Sequence, residues 1–322
     1  MNTGNGQQEA SEVVTIGETM ALMKAEALGP LSHNAALSLG IGGAESNFAI
    51  ALQRLGVPVT WAGRVGADSL GDVVLRELRG EGLHLAAVRD PDAPTGLMIK
   101  ERRTNETQKV WYYRHNSAGS RLSPQDVPAT AIATARLLHL TGITPALSVS
   151  AAEAVEYAIA TARSSDSLVS FDLNYRSALW PPDAAGKYYR RILTDCDVVF
   201  AGEEEAALAV GDGTPAQLAQ RISDLGPAQV IIKLGAAGSY ALIDGTEYRQ
   251  PAVPISAVDT VGAGDAFVAG YIAELLSGLE VADRLLTAVR TGAFACLVPG
   301  DWEGMPRRGE FSLLQAKEPV SR

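Results

Sequence analysis

A formal net charge of −10 over 322 residues, 47% of them hydrophobic, argues against a nucleic-acid or anionic-membrane binder and supports a sizeable core. An anionic small substrate remains allowed, because a local cluster of arginines overrides the global field. Cys196 and Cys296, far apart in the chain, predict buried free thiols in a reducing, cytoplasmic setting rather than a disulfide framework. The four histidines, His33, His84, His115 and His139, show no metal-ligand spacing. Residues 1–12 are polar and lack the apolar segment of a signal peptide, and no apolar run reaches the roughly 18 residues of a membrane span. The length suits one large α/β domain or two ordinary ones.

In chain order, Val13 to Gly17 predicts a buried strand, with Glu18 directly after it, and Met20 to Lys24 a second. Gly40-Ile-Gly-Gly-Ala-Glu-Ser-Asn47 leads into a helix that ends at Gly56. Glu45 stands where a dinucleotide-binding turn needs its third glycine, and no isolated acidic residue closes a strand about 20 residues on, so a dehydrogenase is disfavoured. Thr95 to Arg102 and Lys109 to His115 alternate as a β-hairpin, which sets Tyr112 and Arg114 on one face. That face is either ordinary surface or a site for a polar ligand with a flat apolar edge.

Leu137 to Leu140 and Leu168 to Leu173 predict buried strands around a helix over Ala151 to Arg163. Ligand residues of open α/β sheets gather past the carboxyl ends of strands, where Asn174 and Arg176 fall; Arg176 pairing with Asp172 is the structural alternative. Val198 to Ala201 is a strand, and Glu203-Glu-Glu205 opens a helix, with the acidic first turn serving the helix dipole or Mg²⁺ through water. Val230 to Lys233 and Ser239 to Ile243 flank the turn Gly235-Ala-Ala-Gly238, over which nucleotide phosphates or ribose could lie. No G-x-x-x-x-G-K-[ST] occurs, which excludes a P-loop.

Val253 to Val258 predicts a short strand before Gly262-Ala-Gly264, Asp265 and a helix through Leu275. Glycines and a helix N-terminus make an anion hole. Asp265 there is either a helix cap or a base that takes the proton of an attacking hydroxyl as charge builds on a phosphoryl group. Asp283 to Leu297 is a further helix, and Pro299 to Gly304 closes the ordered region. The strand–helix alternation from Leu137 onwards predicts a mostly parallel sheet with helices on both faces.

The stretch from Asp259 to Gly270 closely resembles the second signature of the ribokinase-like (PfkB) sugar kinases. Gly42-Gly43, Asn47, Gly63-Arg-Val-Gly66, Asp68 and Gly71 resemble the first. The resemblance covers about Val13 to Gly304. It implies one ribokinase-like domain over residues 13–310, α/β with a small β-sheet lid from roughly 18–39 and 94–116, and flexible tails at 1–12 and 311–322. It also implies Asp265 as catalytic base, with Gly262, Ala263 and Gly264 forming the anion hole.

Within the family, Tyr112-Tyr-Arg114, Asp172-Leu-Asn-Tyr-Arg176 and Gly300-Asp-Trp-Glu-Gly304 look most like the branch acting on 2-keto-3-deoxygluconate. That likeness implies ATP-dependent phosphorylation of a sugar acid at its C6 hydroxyl. Arg114 and Arg176 would flank the carboxylate, Tyr112, Gly43 and Asn47 would contact the sugar, and Asp301 would hold a hydroxyl or support the closed site. Lys233, Gly235 and Gly238 would lie near ATP, and Glu205 would steer Mg²⁺ through water. A monovalent cation near Asp259, as in some relatives, and a homo-oligomer built through the lid strands are further implications. The chain departs from the family where a common metal-supporting asparagine is Gly202 and an adenine-contacting asparagine is Val289. A neutral-sugar kinase and a non-catalytic sugar-binding protein are the competing readings.

Overall fold

The computed structural model describes residues 11–32, 36–104 and 108–315. Its main sheet has nine strands in the order β13-β12-β11-β10-β9-β8-β1-β4-β5. These are β1 (Val13–Ile16), β4 (Val59–Gly66), β5 (His84–Asp90), β8 (Leu137–Thr141), β9 (Leu168–Asp172), β10 (Val198–Gly202), β11 (Gln229–Lys233), β12 (Ser239–Ile243) and β13 (Thr246–Gln250). All neighbours pair in parallel except β11–β12 and β12–β13.

The strands read as continuous apolar runs because both faces of the sheet are covered. Alternation sends Val13 and Phe200 to one side, under α1 (Ala44–Arg54), α2 (Ser69–Gly80), α8 (Ala263–Leu276) and α9 (Val281–Ala295). Val14 and Val199 face the other side, against α4 (Val149–Arg163), α5 (Pro182–Ile192), α6 (Glu203–Val210) and α7 (Pro215–Ser223). The short α3 (Ala129–Thr134) adds Ile132 to that second cluster.

A second sheet, β3-β2-β6-β7, combines β2 (Met20–Ala25), β3 (Leu37–Gly42), β6 (Leu97–Arg102) and β7 (Gln108–Tyr113). The β6–β7 hairpin is antiparallel as its alternation predicts. Its turn residues 105–107, like residues 1–10, 33–35 and 316–322, fall outside the described residues. Thr95 lies before the strand because its side chain and backbone are bound to Asp68, the N-cap of α2. Arg114 and His115 lie just past the end of β7.

Two expectations need correction. Residues 253–258 form no strand: Pro254 has no N–H to give, and the amides of Val258 and Asp259 bond instead to the Cys296 carbonyl at the end of α9. Of the expected tail at 311–322, residues 311–315 belong to a 3-10 helix, Arg308–Gln315, and Phe311 packs against the core, while 316–322 lie outside the described residues. The antiparallel edge strand β13 was passed over, although Asp244-Gly245, both at positive φ, is a hairpin signal. Cys196 and Cys296 are free and buried. Among the described residues no helix is long and apolar enough to cross a membrane.

Candidate active site

The strand order reverses at β1: β4 and β5 extend to one side and β8 to β11 to the other. A crevice opens beyond the carboxyl ends of strands at such a point. The ends of β1, β8, β9, β10 and β11 deliver Glu18, Thr141, Asn174, Glu205 and Lys233 there, and the N-termini of α1 and α8 meet them. The resulting cleft is about 850 Å³ and is lined by Gly43, Asn47, Tyr112, Arg114, Arg176, Gly262, Asp265 and Asp301 among others. A smaller chamber of about 350 Å³ shares Tyr112, Arg176, Gly262, Asp265 and Asp301 with it and adds Lys100, Asp172, Asn174, Glu205, Lys233 and Gly264.

Gly262 begins α8 at φ 74°, and a Cβ there would lie 2.0 Å from the Asp301 carbonyl oxygen. Only glycine can hold that turn against the 299–304 loop. Ala263 and Gly264 follow as the first residues of α8; the Ala263 amide reaches the Thr260 carbonyl at 3.4 Å, and the Gly264 amide stands among the open donors of a helix start. Asp265 makes no capping bond to its own helix. Its carboxylate accepts from Asn47 Nδ2 at 2.9 Å, and Asn174 Nδ2 stands 3.5 Å from the other oxygen. Burial pushes its pKa up to about 7; the Asn47 hydrogen bond works against that rise and the Asp172 charge adds to it.

Lys233 donates to both oxygens of Asp172, at 2.6 and 2.8 Å. Burial opposes its ammonium, but the Asp172 and Glu205 carboxylates outweigh burial and hold its pKa above the ordinary lysine range. Glu205 accepts from the amides of Gly202 at 2.7 Å and Tyr175 at 3.1 Å, fixing the loop after β9 to the start of α6. Glycine at 202 thus serves the capping box through its backbone.

The arginines differ in their commitments. Arg114 gives Nε and Nη2 to Glu18, at 2.8 and 2.6 Å, and the Ser117 hydroxyl also donates to Glu18. Arg176 is exposed and donates only to the Tyr175 carbonyl, so its alternative pairing with Asp172 is not formed among the described residues. Tyr112 stands opposite Met98 on the inward face of the small sheet. Gly43 lies against the Glu18 carbonyl, where a Cβ would sit 2.4 Å away.

Some of the expected site residues already have partners within the protein. Asn47 addresses Asp265 with its amide nitrogen. Asp301 is bound to Lys100 Nζ at 3.1 Å. Gly235 and Gly238 do not line either chamber, and Gly238 instead abuts the backbone at Gln250. Val289 is buried in the core. Glu45 buries its carboxylate against the hydroxyls of Thr141 and Thr144, both at 2.7 Å. Lys100 and the pairing role of Glu18 were missed. A lysine two residues after Met98 on an apolar strand must share its inward face, and that was the available signal.

Comparison with known proteins agrees with this geometry. The description "pfkB family carbohydrate kinase" matches residues 10–308. The chain is 37% identical to the 2-dehydro-3-deoxygluconokinase of Bacillus subtilis (strain 168), over 96% of this chain and 97% of that one. It is 32% identical to the 2-dehydro-3-deoxygalactonokinase of Haloferax volcanii, over 90% and 92%. Among solved structures, a PfkB protein from Polaromonas sp. JS666 superposes with a TM-score of 0.86 at 35% identity, covering 94% of this chain and 99% of that one. An E. coli putative ribokinase II in complex with ATP and Mg²⁺ gives 0.88 at 26% identity, covering 95% and 99%. With a doubly covered parallel sheet, a glycine turn opening α8 and a match along nearly its whole length, the chain belongs to the pfkB family of carbohydrate kinases.

Proposed function

We propose that this protein transfers the γ-phosphoryl group of ATP to the C6 hydroxyl of 2-keto-3-deoxygluconate, with Asp265 as the base. The observation that carries the reading is Asp265 itself. It is a carboxylate with a pKa near 7, no ion pair among the described residues, and the amides of the α8 turn beside it. Such a group accepts a proton from a hydroxyl at neutral pH, while the turn stabilises charge on the transferring phosphoryl. Asn47 orients the base. The C6 hydroxyl lies between Asp265 and the turn, and Tyr112 and Gly43 bound the sugar.

The substrate class rests on Arg176 and on the names of the relatives. An exposed guanidinium free of carboxylates, facing the same chamber as Asp265, suits a sugar carboxylate. Arg114 joins it only with the donors that Glu18 leaves free, Nη1 and the second N–H of Nη2. Asp301 supports the closed site through Lys100. The small sheet of β2, β3, β6 and β7 acts as a lid over the cleft, keeping water from competing as acceptor.

ATP is placed over α8, with Lys233 at the edge of its phosphates. The described residues offer no cluster of three or more His, Cys, Asp or Glu side chains to cage a metal, which suits an ion carried on the nucleotide. Mg²⁺ bound there supplies neutralisation of phosphate charge. Glu205 faces that chamber and retains lone pairs for a bridging water.

The outward face of the lid carries a cross-strand row, Leu39–Met23–Ile99–Trp111. Leu39 and Trp111 are 51% and 43% exposed, with Leu37 and Tyr113 beside them. A second copy of this chain, packed lid to lid, would bury that row.

In an ADP-release assay with ATP and Mg²⁺, 2-keto-3-deoxygluconate and its galactonate epimer react and fructose and ribose do not; a faster neutral sugar overturns the carboxylate reading. Arg176→Ala raises KM for the sugar acid by about tenfold or more, from the roughly 1.5–3 kcal/mol of a charge-assisted hydrogen bond. Arg114→Ala is a less clean probe. It strands Glu18, which is 1% exposed, and lowers stability by about 3–5 kcal/mol in chemical denaturation.

Asp265→Asn reduces kcat by about 10²–10⁴-fold with KM little changed. The base must be ionised, so kcat/KM rises with pH through about 7 and is lost as pH falls below it. Asn47→Ala removes the hydrogen bond that opposes the rise and moves this limb to higher pH. A profile flat across neutral pH removes Asp265 from the role.

Light scattering returns a dimer or larger assembly, and Leu39→Lys shifts it to monomer. A monomeric wild type eliminates the lid-to-lid contact.

A further inference from the structure

Two lysines stand on the inward face of the small sheet: Lys24, half-exposed, reaches Glu303, and Lys100 is buried. Lys100, in the middle of β6, follows Met98 on the inward face, and its Nζ lies 3.1 Å from Asp259 Oδ2 and 3.1 Å from Asp301 Oδ1. All three side chains are less than a tenth exposed. Asp259 uses its carboxylate fully. Oδ1 accepts from the Val261 amide at 3.1 Å, and Oδ2 accepts from the Gly300 amide at 3.2 Å as well as from Lys100.

These contacts clamp two loops together. One is 259–262, which becomes the glycine turn at the head of α8. The other is 299–304, whose Asp301 carbonyl forbids any Cβ on Gly262. Position and charge of the anion-binding turn therefore depend on how the 299–304 loop is held. Two buried carboxylates converging there repel unless a cation stands between them. The resemblance to relatives that use a monovalent cation near Asp259 would put a metal ion in that role. The residues here do not fit one, because the Lys100 ammonium already occupies the space between the carboxylates and Asp259 has no uncommitted oxygen.

We propose that Lys100 is a positioning residue that supplies from the lid the positive charge holding the anion-binding turn, so that this kinase works without an added monovalent cation. Its ammonium touches neither the hydroxyl nor the base; it acts through Asp259 and Asp301 on the Gly262 turn. The lid strand and the phosphoryl-binding turn are thereby one electrostatic unit, and moving β6 outward would withdraw the cation from the turn. Two of the three pKa directions agree with that arrangement, while at Asp301 burial outweighs Lys100 and pushes the carboxyl up. Burial works against Lys100, yet the two carboxylates hold it above the ordinary range, and Asp259 is held below the usual carboxylate range against burial by Lys100 and its two amide donors.

The inference rests on the kinase reading for its activity readout but has a second readout that does not. Wild-type Tm and wild-type turnover are measured at equal ionic strength in sodium, potassium, caesium and tetramethylammonium chlorides. Both are expected to be the same in all four, and potassium-dependent turnover or a potassium-specific rise in Tm overturns the proposal. Lys100→Met is expected to lower Tm and to lower kcat by an order of magnitude or more, with smaller changes in KM. Potassium or methylammonium should restore Tm and kcat saturably, whereas tetramethylammonium, too large for the gap, should restore neither. A folded Lys100→Met with unchanged kcat, or one indifferent to methylammonium, overturns it. If Lys100→Met does not fold, Lys100→Arg and the wild-type salt series decide: a folded arginine variant with turnover independent of potassium supports the proposal, and dependence on potassium in either protein counts against it. If none of the tested sugars is phosphorylated, the substrate reading fails while the Tm series still judges Lys100.

Discussion

A carboxylate removed from water needs a cation or a set of donors, and the cleft of this protein is arranged around that requirement. Glu18 is held by Arg114, Asp172 by Lys233, and Asp259 and Asp301 by Lys100. Each pair spans elements distant in sequence, so each is also a tie between parts of the fold: β1 to the end of the lid hairpin, β9 to β11, lid strand to the loops around α8. Asp265 stands among them with an amide donor but no contacting cation. That difference separates a carboxylate that holds structure from one able to take a proton near neutral pH. The same cations that neutralise its neighbours also keep their charges from raising its pKa further.

The sheet supplies the common origin for these ties. Because strand order reverses at β1, the carboxyl ends of five parallel strands open onto one crevice, and the N-termini of α1 and α8 close it from one side. Neither helix terminus is capped by its own side chains. At α8 the Gly264 amide is left open in this way, next to Asp265. Glycine appears at both starts for a packing reason as well, since the Glu18 and Asp301 carbonyls occupy the space of a Cβ.

The second sheet is built differently. It has one face toward the cleft, with Met20, Leu22, Met98, Val110 and Tyr112, and one apolar face turned outward. A sheet that covers a cleft from above must contact it through side chains rather than through shared strands. Lys100 makes the deepest of those contacts. The second sheet is therefore joined to the Gly262 turn by charge, while Tyr112 and the Glu18–Arg114 pair line the larger part of the cleft.

Much of this was legible in the amino-acid sequence, and the part that was has a local cause. Apolar runs such as Val230 to Lys233 announce buried parallel strands because both faces are covered. Alternation over Val110 to Arg114 announces the lid hairpin and the common face of Tyr112 and Arg114. Gly262-Ala-Gly264-Asp265 before an apolar helix announces an anion hole with a carboxylate beside it. Ordered motifs of that kind also carry the family. What the sequence could not assign was partnership, because an ion pair forms between residues that the fold, not the chain, makes neighbours. Arg114 reads as free for a substrate until Glu18, 96 residues earlier, is found against it. Asp301 reads as either a hydroxyl ligand or a support of the closed site, and its partner Lys100, 201 residues away, is visible only in the fold. Residues 253–258 read as a strand until their amides are seen to bond with the end of α9. Local pattern determined the elements and the glycine turn with its carboxylate; the packing of the small sheet and of α9 against α8 decided which charges are paired and left Asp265 with no ion pair among the described residues.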